Sequence, residues 1–255
     1  MPLITIREAR RAGEEMADSL PVTGLKIVEK HEAWTSAGPV LSHISDSDIS
    51  AFRERAVITT ASPSTVGWWA FATGTWMSAT VLGGFLGWAD SLSAAPTVLL
   101  FAGMTQFIAG LYGFRRASVL HATIFCSFGT LNNALGLMFF LQVTGAVKQG
   151  TGAPEMVGFL LESFAFIALA LAWASLRRNV LMFGVLAFIC AGYAIVGVSQ
   201  FMAQGSPAGV TGLGVIAAAG AALMFASSFL AYYLGTAMLV NSTWNRSVLP
   251  IPGLP

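Results

Sequence analysis

One stretch of the sequence decides the fold. Residues 179–245 carry no charge: NVLMFGVLAFICAGYAIVGVSQFMAQGSPAGVTGLGVIAAAGAALMFASSFLAYYLGTAMLVNSTWN. A helix needs about 20 apolar residues to cross a bilayer, so this stretch is too long for a single span. The polar and turn-forming residues Gln204-Gly205-Ser206-Pro207 divide it. The sequence therefore predicts two membrane-spanning helices here.

Four further apolar runs precede this stretch, and charged residues end each of them. They are Ser64–Ala89, Ser91–Phe114, Ala117–Val147 and Pro154–Leu176. Glu155 stands at the very start of the fourth run, and Glu162 is the only charge well inside any of them. A proline stands at or just before the start of four of the predicted spans: Pro63, Pro96, Pro154 and Pro207. Only helices or closed barrels satisfy their backbone groups in lipid, and these runs lack the two-residue alternation of a barrel. We predict an all-α membrane protein with six transmembrane helices.

The composition excludes several classes of protein. Only 10% of the 255 residues are charged, against about 25% in soluble domains, and the mean hydropathy is +0.71. A net charge of +1 without a basic stripe excludes a nucleic-acid partner. Cys126 and Cys190 both lie inside apolar runs, which excludes a disulfide scaffold. Because most charges precede residue 56, we expect a partly disordered polar tail at 1–60, a transmembrane domain at 61–242 and a short tail at 243–255.

The basic residues predict the orientation. Arg115-Arg116 and Arg177-Arg178 follow the second and fourth spans, and Arg246 follows the sixth. These segments share one side of the membrane with the N-terminal tail, while Lys148 falls on the other side. Since short cytoplasmic segments are enriched in Lys and Arg, both termini are predicted to be cytoplasmic.

A search for catalytic chemistry finds no metalloprotease, P-loop or nucleophile-elbow motif. We therefore expect no enzyme activity, no cofactor and no bound metal. His31 and His43 lie in the tail and are expected to be solvated. His121 lies near the cytoplasmic end of the third span, where a hydrogen-bonded or snorkelling histidine is favoured over a proton relay.

Polar residues within the spans are better candidates, because hydrocarbon disfavours them. Gln106, Asn132 and Asn133 lie midway along the second and third spans, where either interhelical hydrogen bonds or a pore lining would explain them. Glu162 either lines a path, or is protonated and bonded to an asparagine, or is hydrated near the headgroups.

Small and aromatic residues suggest how the helices are arranged. The sixth span repeats a small residue every four positions, which favours close packing within one protomer over a subunit interface: Gly214, Ala218, Ala222 and Ala226. Three tryptophans are predicted to anchor the protein at the membrane interfaces: Trp68, Trp88 and Trp244.

Four segments together resemble the acetate uptake transporter family. Ser62–Trp68, SPSTVGW, is similar to that family's signature Asn-Pro-Ala-Pro-Leu-Gly-Leu and retains its first proline and its glycine, Gly67. The other similar segments are AGMTQFIAG at 102–110, the basic turn at 114–116 followed by ATIFCSFG at 122–129, and the end from Asn241 to Ile251. The long charged tail is similar to that of the fungal branch.

The resemblance implies a hexamer that moves acetate or other short monocarboxylates, often with protons, through a pore in each protomer. We expect the protein to lie in the plasma membrane. The resemblance also implies a hydrophobic constriction formed by Phe71, Phe128 and either Phe188 or Ile189. The carboxylate would be received by Ser62, Ser64 and Gly67 at the start of the first helix. Because of their polarity, and apart from the resemblance, Gln106, Asn132 and Glu162 are further candidates for substrate binding. The chain departs from the family at the tryptophan position now held by Asn132, and at Glu162, which would repel a carboxylate in the pore.

Two other functions fit the sequence. One is the movement of ammonium or another small solute through the same pore. The other belongs to a different class, namely a membrane-anchored signalling or scaffold protein with a vestigial pore.

Overall fold

The computed structural model describes residues 62–146, 153–202 and 214–252. Within these ranges every regular element is a helix. The predictions for the N-terminal tail, including His31 and His43, lie outside the described residues. So does the segment around Pro207 that was predicted to separate the fifth and sixth spans.

Six helical segments form the transmembrane domain. They are α1 (Ser64–Leu82), α2 (Ser91–Arg115), α3 (Val119–Val143), α4 (Ala153–Ser175), α5 (Val180–Met202) and α6 (Gly214–Trp244). In the described part of the chain, α2 to α6 are long and apolar enough to cross a membrane. Helix α1 has 19 residues, and its hydroxyl and tryptophan side chains lower its mean hydropathy. The predicted all-α architecture is confirmed.

Helix α2 begins at Ser91, where the predicted apolar run also begins. Pro96 was placed at the start of this span and instead lies inside the helix. A proline inside a helix removes a hydrogen-bond donor and crowds the carbonyl four residues earlier. The chain responds by widening into a π-helix over Thr97–Thr105 before it returns to an α-helix over Gln106–Arg115.

The helices form a ring with a buried interior. Helix α1 packs against α2, α3 and α6, α5 packs between α4 and α6, and a smaller contact between α3 and α4 closes the ring. Close approach of α2 and α3 depends on glycine, since a Cβ at Gly129 would lie 2.6 Å from the backbone nitrogen of Phe107. The largest side chains that are fully buried include Trp68, Phe71 and Phe128.

The predicted stripe of small residues in α6 is only in part the face that packs within the protomer. Gly214 and Ala222 are exposed and the other two stripe residues are half-buried, whereas Ala217, Gly220 and Ala221 are buried. The stripe and the packed face differ because a repeat of four residues drifts by about 40° per step around an α-helix. A stripe with that spacing therefore winds away from a straight neighbour.

Residues 248–252, which we call the C-terminal strap, turn back across the ends of α5 and α6. Oδ1 of Asn241 accepts a hydrogen bond from the N–H of Leu249 at 2.9 Å, and Nδ2 donates to the carbonyl of Leu249 at 2.7 Å. The N–H of Val180 donates to the carbonyl of Pro252 at 3.3 Å. The strap thus joins the end of α6 to the start of α5.

Candidate functional site

A cavity of about 320 Å³ opens at the start of α1. It contains two of the predicted substrate-binding residues, Ser62 and Ser64, which flank Pro63. The turn between α2 and α3 and the first turn of α3 contribute a charged side chain and two polar ones that the sequence had not assigned to this site: Arg116, Ser118 and His121. We call this space the mouth cavity. Its lining combines the N-terminal end of a helix with a guanidinium group, both of which attract anions.

The turn between α2 and α3 has a strained backbone at its centre. Ala117 adopts φ +53°, a left-handed conformation that non-glycine residues rarely occupy. On either side of it, Arg116 and Ser118 both line the mouth cavity. Oγ of Ser118 is 2.9 Å from Nδ1 of His121, so the prediction of a hydrogen-bonded histidine is confirmed.

Aromatic rings close the inner side of the mouth cavity. The ring of Trp68 lies 6.2 Å from that of His121 and 5.2 Å from that of Phe125, measured between centroids. Trp68 is fully buried, so its predicted role as an interface anchor is wrong. Helix α1 is apolar on every side, and its periodicity therefore does not separate inward-facing from lipid-facing rings. Of the other two predicted anchors, Trp244 is 57% exposed, and the side chain of Trp88 lies outside what the structure describes.

Gly67, the glycine of the signature segment, has a packing role. A Cβ atom at this position would lie 2.5 Å from the ring of Phe125. The missing side chain allows α1 and α3 to approach at the level of Trp68. Contact with a substrate at Gly67 stays a prediction.

The predicted constriction residues Phe71 and Phe128 meet in the interior of the bundle. Their ring centroids are 5.1 Å apart and their planes are perpendicular. Phe128 also lies 6.1 Å from Phe164 on α4 and 6.2 Å from Tyr193 on α5. The sequence analysis missed these two residues. Tyr193 offered a signal, since a tyrosine midway along a span needs a partner for its hydroxyl, which here is Thr75.

The two candidates on α5 for the third constriction residue, Phe188 and Ile189, lie on different faces of the helix. Ile189 is fully buried, while Phe188 is 39% exposed at the outer surface of the protomer. Ile189 lies one turn before Tyr193, so the two side chains share the inward face of α5. A direct role of either alternative in the constriction stays a prediction.

Gln106 and Asn132 form a pair, which we call the amide pair. Nδ2 of Asn132 donates to Oε1 of Gln106 at 3.0 Å. Asn132 is 2% exposed and Gln106 is 0% exposed. The predicted interhelical hydrogen bond is confirmed, and a pore-lining role stays open. Asn133 faces elsewhere, because its side chain packs on Gly103 of α2.

Glu162 lies at the contact between α4 and α5. A Cβ atom at Gly197 would be 2.7 Å from its Oε1, which is buried and has no hydrogen-bond partner among the described residues. The described residues show no hydrogen bond from Glu162 to an asparagine, and Nδ2 of Asn132 donates to Gln106 instead. Glu162 is about halfway along α4 and is half-buried, so a hydrated position at the headgroups stays a prediction.

The described residues contain no cluster of three or more His, Cys, Asp or Glu side chains that would hold a metal ion. Cys126 and Cys190 are free thiols. Sγ of Cys190 donates to the carbonyl of Ala165 at 3.3 Å, which gives this thiol a structural partner between α4 and α5.

Comparisons with known proteins agree with this architecture. A family model described as the GPR1/FUN34/yaaH family matches residues 49–255. The solved structure of the bacterial acetate channel SatP matches with a TM-score of 0.66 and 18% sequence identity, covering 76% of this chain and 99% of SatP. No curated protein sequence gave a significant match. The resemblance found from the sequence segments is confirmed, while the fungal branch stays a prediction.

Proposed function

We propose that this chain, which belongs to the GPR1/FUN34/yaaH family, is a membrane channel or transporter for acetate or related short monocarboxylates. In this proposal the protein moves a solute across the membrane and does not catalyse a reaction. The likeness to the acetate channel SatP supports the fold in which such a path would be built.

The proposal depends on one observation, namely that the mouth cavity is followed by a group of buried aromatic rings. Arg116 and the start of α1 line a space of about 320 Å³, large enough for a two- to four-carbon acid. A carboxylate is attracted there by the guanidinium charge and by the positive end of the α1 helix dipole. Behind the cavity the path meets buried aromatic rings, ending at Phe71 and Phe128. An apolar constriction of this kind excludes water and hydrated ions.

Proton linkage follows from the same arrangement. A charged carboxylate loses its hydration at the aromatic rings at a large energetic cost, whereas the neutral acid loses far less. Transport that moves a proton with each carboxylate avoids that cost. We therefore include proton linkage in the proposal.

The proposal also covers the setting of the protein. We place it in the plasma membrane with both termini in the cytoplasm, which puts the mouth cavity on the cytoplasmic side. We further propose a homohexamer with one path in each protomer. Residues 1–60 and 243–255 are the cytoplasmic tails in this scheme.

Labelled-acetate uptake into vesicles containing the purified protein tests the function. We expect uptake above that of protein-free vesicles. Arg116→Gln should raise the KM for acetate several-fold, because it removes the positive charge from the mouth cavity. Arg115→Gln is the matched control, since the neighbouring guanidinium lies over the ring of Tyr112 at 5.4 Å and does not line the cavity.

Other results would point to the alternative functions. Ammonium flux without acetate flux would show that the transported solute is ammonium or ammonia and not a carboxylate. Absence of both fluxes from folded protein would favour a signalling or scaffold protein. Equal effects of the two arginine substitutions would contradict the role of the mouth cavity.

A further inference from the structure

The amide pair lies directly behind the aromatic constriction. Asn132 follows Phe128 by four residues on α3, which places both side chains on one face of that helix, one turn apart. On α1, Gly74 follows Phe71 by three residues, and a Cβ at Gly74 would lie 2.6 Å from Nδ2 of Asn132. The same two helix faces that bring the rings together therefore bring the amide pair to the next level of the path.

Two polar atoms of the amide pair have no hydrogen-bond partner among the described residues. They are Oδ1 of Asn132 and Nε2 of Gln106, and both are buried. This result does not depend on which way the two amide groups are turned. A single bond between two amides always leaves one carbonyl oxygen and one NH₂ group unused.

Unused polar groups at this depth are costly unless something pairs with them. Buried donors and acceptors in proteins are almost always satisfied, since each one left unpaired destabilises the fold. If these residues only packed α2 against α3, apolar side chains of the same size would stabilise the contact equally well. A passing solute that pairs with both groups explains why one acceptor and one donor are placed side by side.

The chemistry of that solute follows from the two groups. A carboxylate offers acceptors only, so it pairs with the Gln106 amide but meets the carbonyl of Asn132 as a second acceptor. A neutral carboxylic acid offers an O–H donor and a carbonyl acceptor. A short carboxamide offers an N–H donor and a carbonyl acceptor. Both neutral groups match the amide pair.

We propose that the amide pair selects uncharged solutes that carry one donor and one acceptor, namely the neutral form of a short carboxylic acid or a short carboxamide. This inference rests on the proposed function, because it assumes that the path through Phe71 and Phe128 conducts. It adds carboxamides to the substrate class and makes Gln106 and Asn132 determinants of specificity.

Acetamide is the probe that tests the proposal, because it has the shape of acetic acid and does not ionise across the physiological pH range. Full-length protein in vesicles should take up labelled acetamide faster than protein-free vesicles, at the same rate in acidic and in slightly alkaline buffer. The double substitution Gln106→Leu with Asn132→Leu removes all four polar atoms without leaving one amide alone. We expect it to lower acetamide uptake roughly tenfold, the effect of losing about one hydrogen bond to the solute.

Asn133→Leu is the matched control, since it makes the same exchange on the next residue, whose side chain faces Gly103. It should change acetamide uptake by less than the double substitution. If the double variant does not fold, Gln106→Met keeps the shape, removes the free donor and should act in the same direction.

The outcomes separate the two proposals. Protein-dependent acetate uptake without acetamide uptake would overturn the selection of neutral solutes and leave the proposed function intact. Acetamide uptake that is equal in the wild type and in the double variant would also overturn it. Absence of uptake of both solutes would refute the proposed function itself.

Discussion

The ring of Phe71 on α1 meets the ring of Phe128 on α3 edge to face, with centroids 5.1 Å apart and planes at 90°. Both side chains are at most 1% exposed, and this geometry is the favoured one for an aromatic pair. The contact lies between the polar mouth cavity and the amide pair. A solute that follows this path must therefore pass from a polar region through a dry one into a second polar region.

Phe128→Ala should widen the constriction. Removing the ring leaves a cavity next to Phe71 that the surrounding side chains fill only in part. Vesicles with this variant should admit a bulky carboxylate such as benzoate, which we expect the wild type to exclude, while acetate uptake is kept. Phe188→Ala is the control, because that ring is 39% exposed at the outer surface. An unchanged ratio of benzoate to acetate uptake in Phe128→Ala would show that the ring does not limit passage.

Gly67→Ala should destabilise the fold. The new Cβ would lie 2.5 Å from the ring of Phe125, which is fully buried and has little room to move. We expect a loss of about 1–3 kcal/mol, measured by unfolding in detergent. Gly214→Ala, where a Cβ meets no atom within 4 Å, should stay within about 0.5 kcal/mol of the wild type. A loss of equal size at both glycines would contradict the close approach of α1 to Phe125.

Ala117→Gly should have the opposite effect. Ala117 has φ +53°, and an L-residue pays about 1–2 kcal/mol for this left-handed conformation while glycine does not. We expect the variant to be more stable by about 1 kcal/mol. Ala222→Gly, in the interior of α6, should lower stability by a similar amount, because glycine is a poor helix former. Differential scanning fluorimetry of the two variants would show shifts of opposite sign, and shifts of the same sign would argue against strain at Ala117.

Glu162→Gln tests whether this carboxyl borders the path. A negative charge repels a carboxylate by roughly 4 kcal/mol at 4 Å for an effective dielectric of 20. If Glu162 lines the path, the substitution should raise acetate uptake at neutral pH and flatten its activation by acid. Glu155→Gln, in the first turn of the same helix, is the control. An unchanged uptake and pH profile would place Glu162 off the path, as a residue that only packs α4 against α5.

The predicted orientation is tested by glycosylation in a eukaryotic host. Asn241-Ser242-Thr243 and Asn245-Arg246-Ser247 are both formal acceptor sequences, and both should stay unmodified on the cytoplasmic side. Asn245 is the more informative of the two, because it is exposed, whereas the Asn241 amide is bonded to Leu249.

A positive control completes this experiment. Gln149→Asn, between α3 and α4, creates an acceptor sequence on the predicted outer side, since Thr151 follows two residues later. We expect a glycan there and none at Asn245. The reverse pattern would show that the protein is inserted the other way.

The number of helices could be predicted from the sequence because charges are costly in lipid. Arg115-Arg116 and Arg177-Arg178 mark the ends of α2 and α4 to within a few residues. The meeting of Phe71 with Phe128 was expected from a family resemblance, and no pattern in this chain alone would have shown it.

The inward faces could not be predicted, for a physical reason. A transmembrane helix is apolar both toward lipid and toward its neighbours, so its hydrophobic pattern does not mark the buried side. Trp68 was assigned to the membrane interface and is fully buried, and Tyr193 was overlooked although it contacts Phe128. The π-helix after Pro96 was missed as well, because an extra residue in a turn leaves no trace in composition.

The C-terminal strap has a consequence for the order of events during synthesis. Helix α5 leaves the ribosome well before the strap, yet the N–H of its first residue, Val180, bonds to the carbonyl of Pro252. The start of α5 therefore lacks this partner during the whole time in which α6 is made and inserted. The bond to Pro252 forms last, and a protein halted before residue 252 would contain all its helices but lack the bond that ties the start of α5 to the strap.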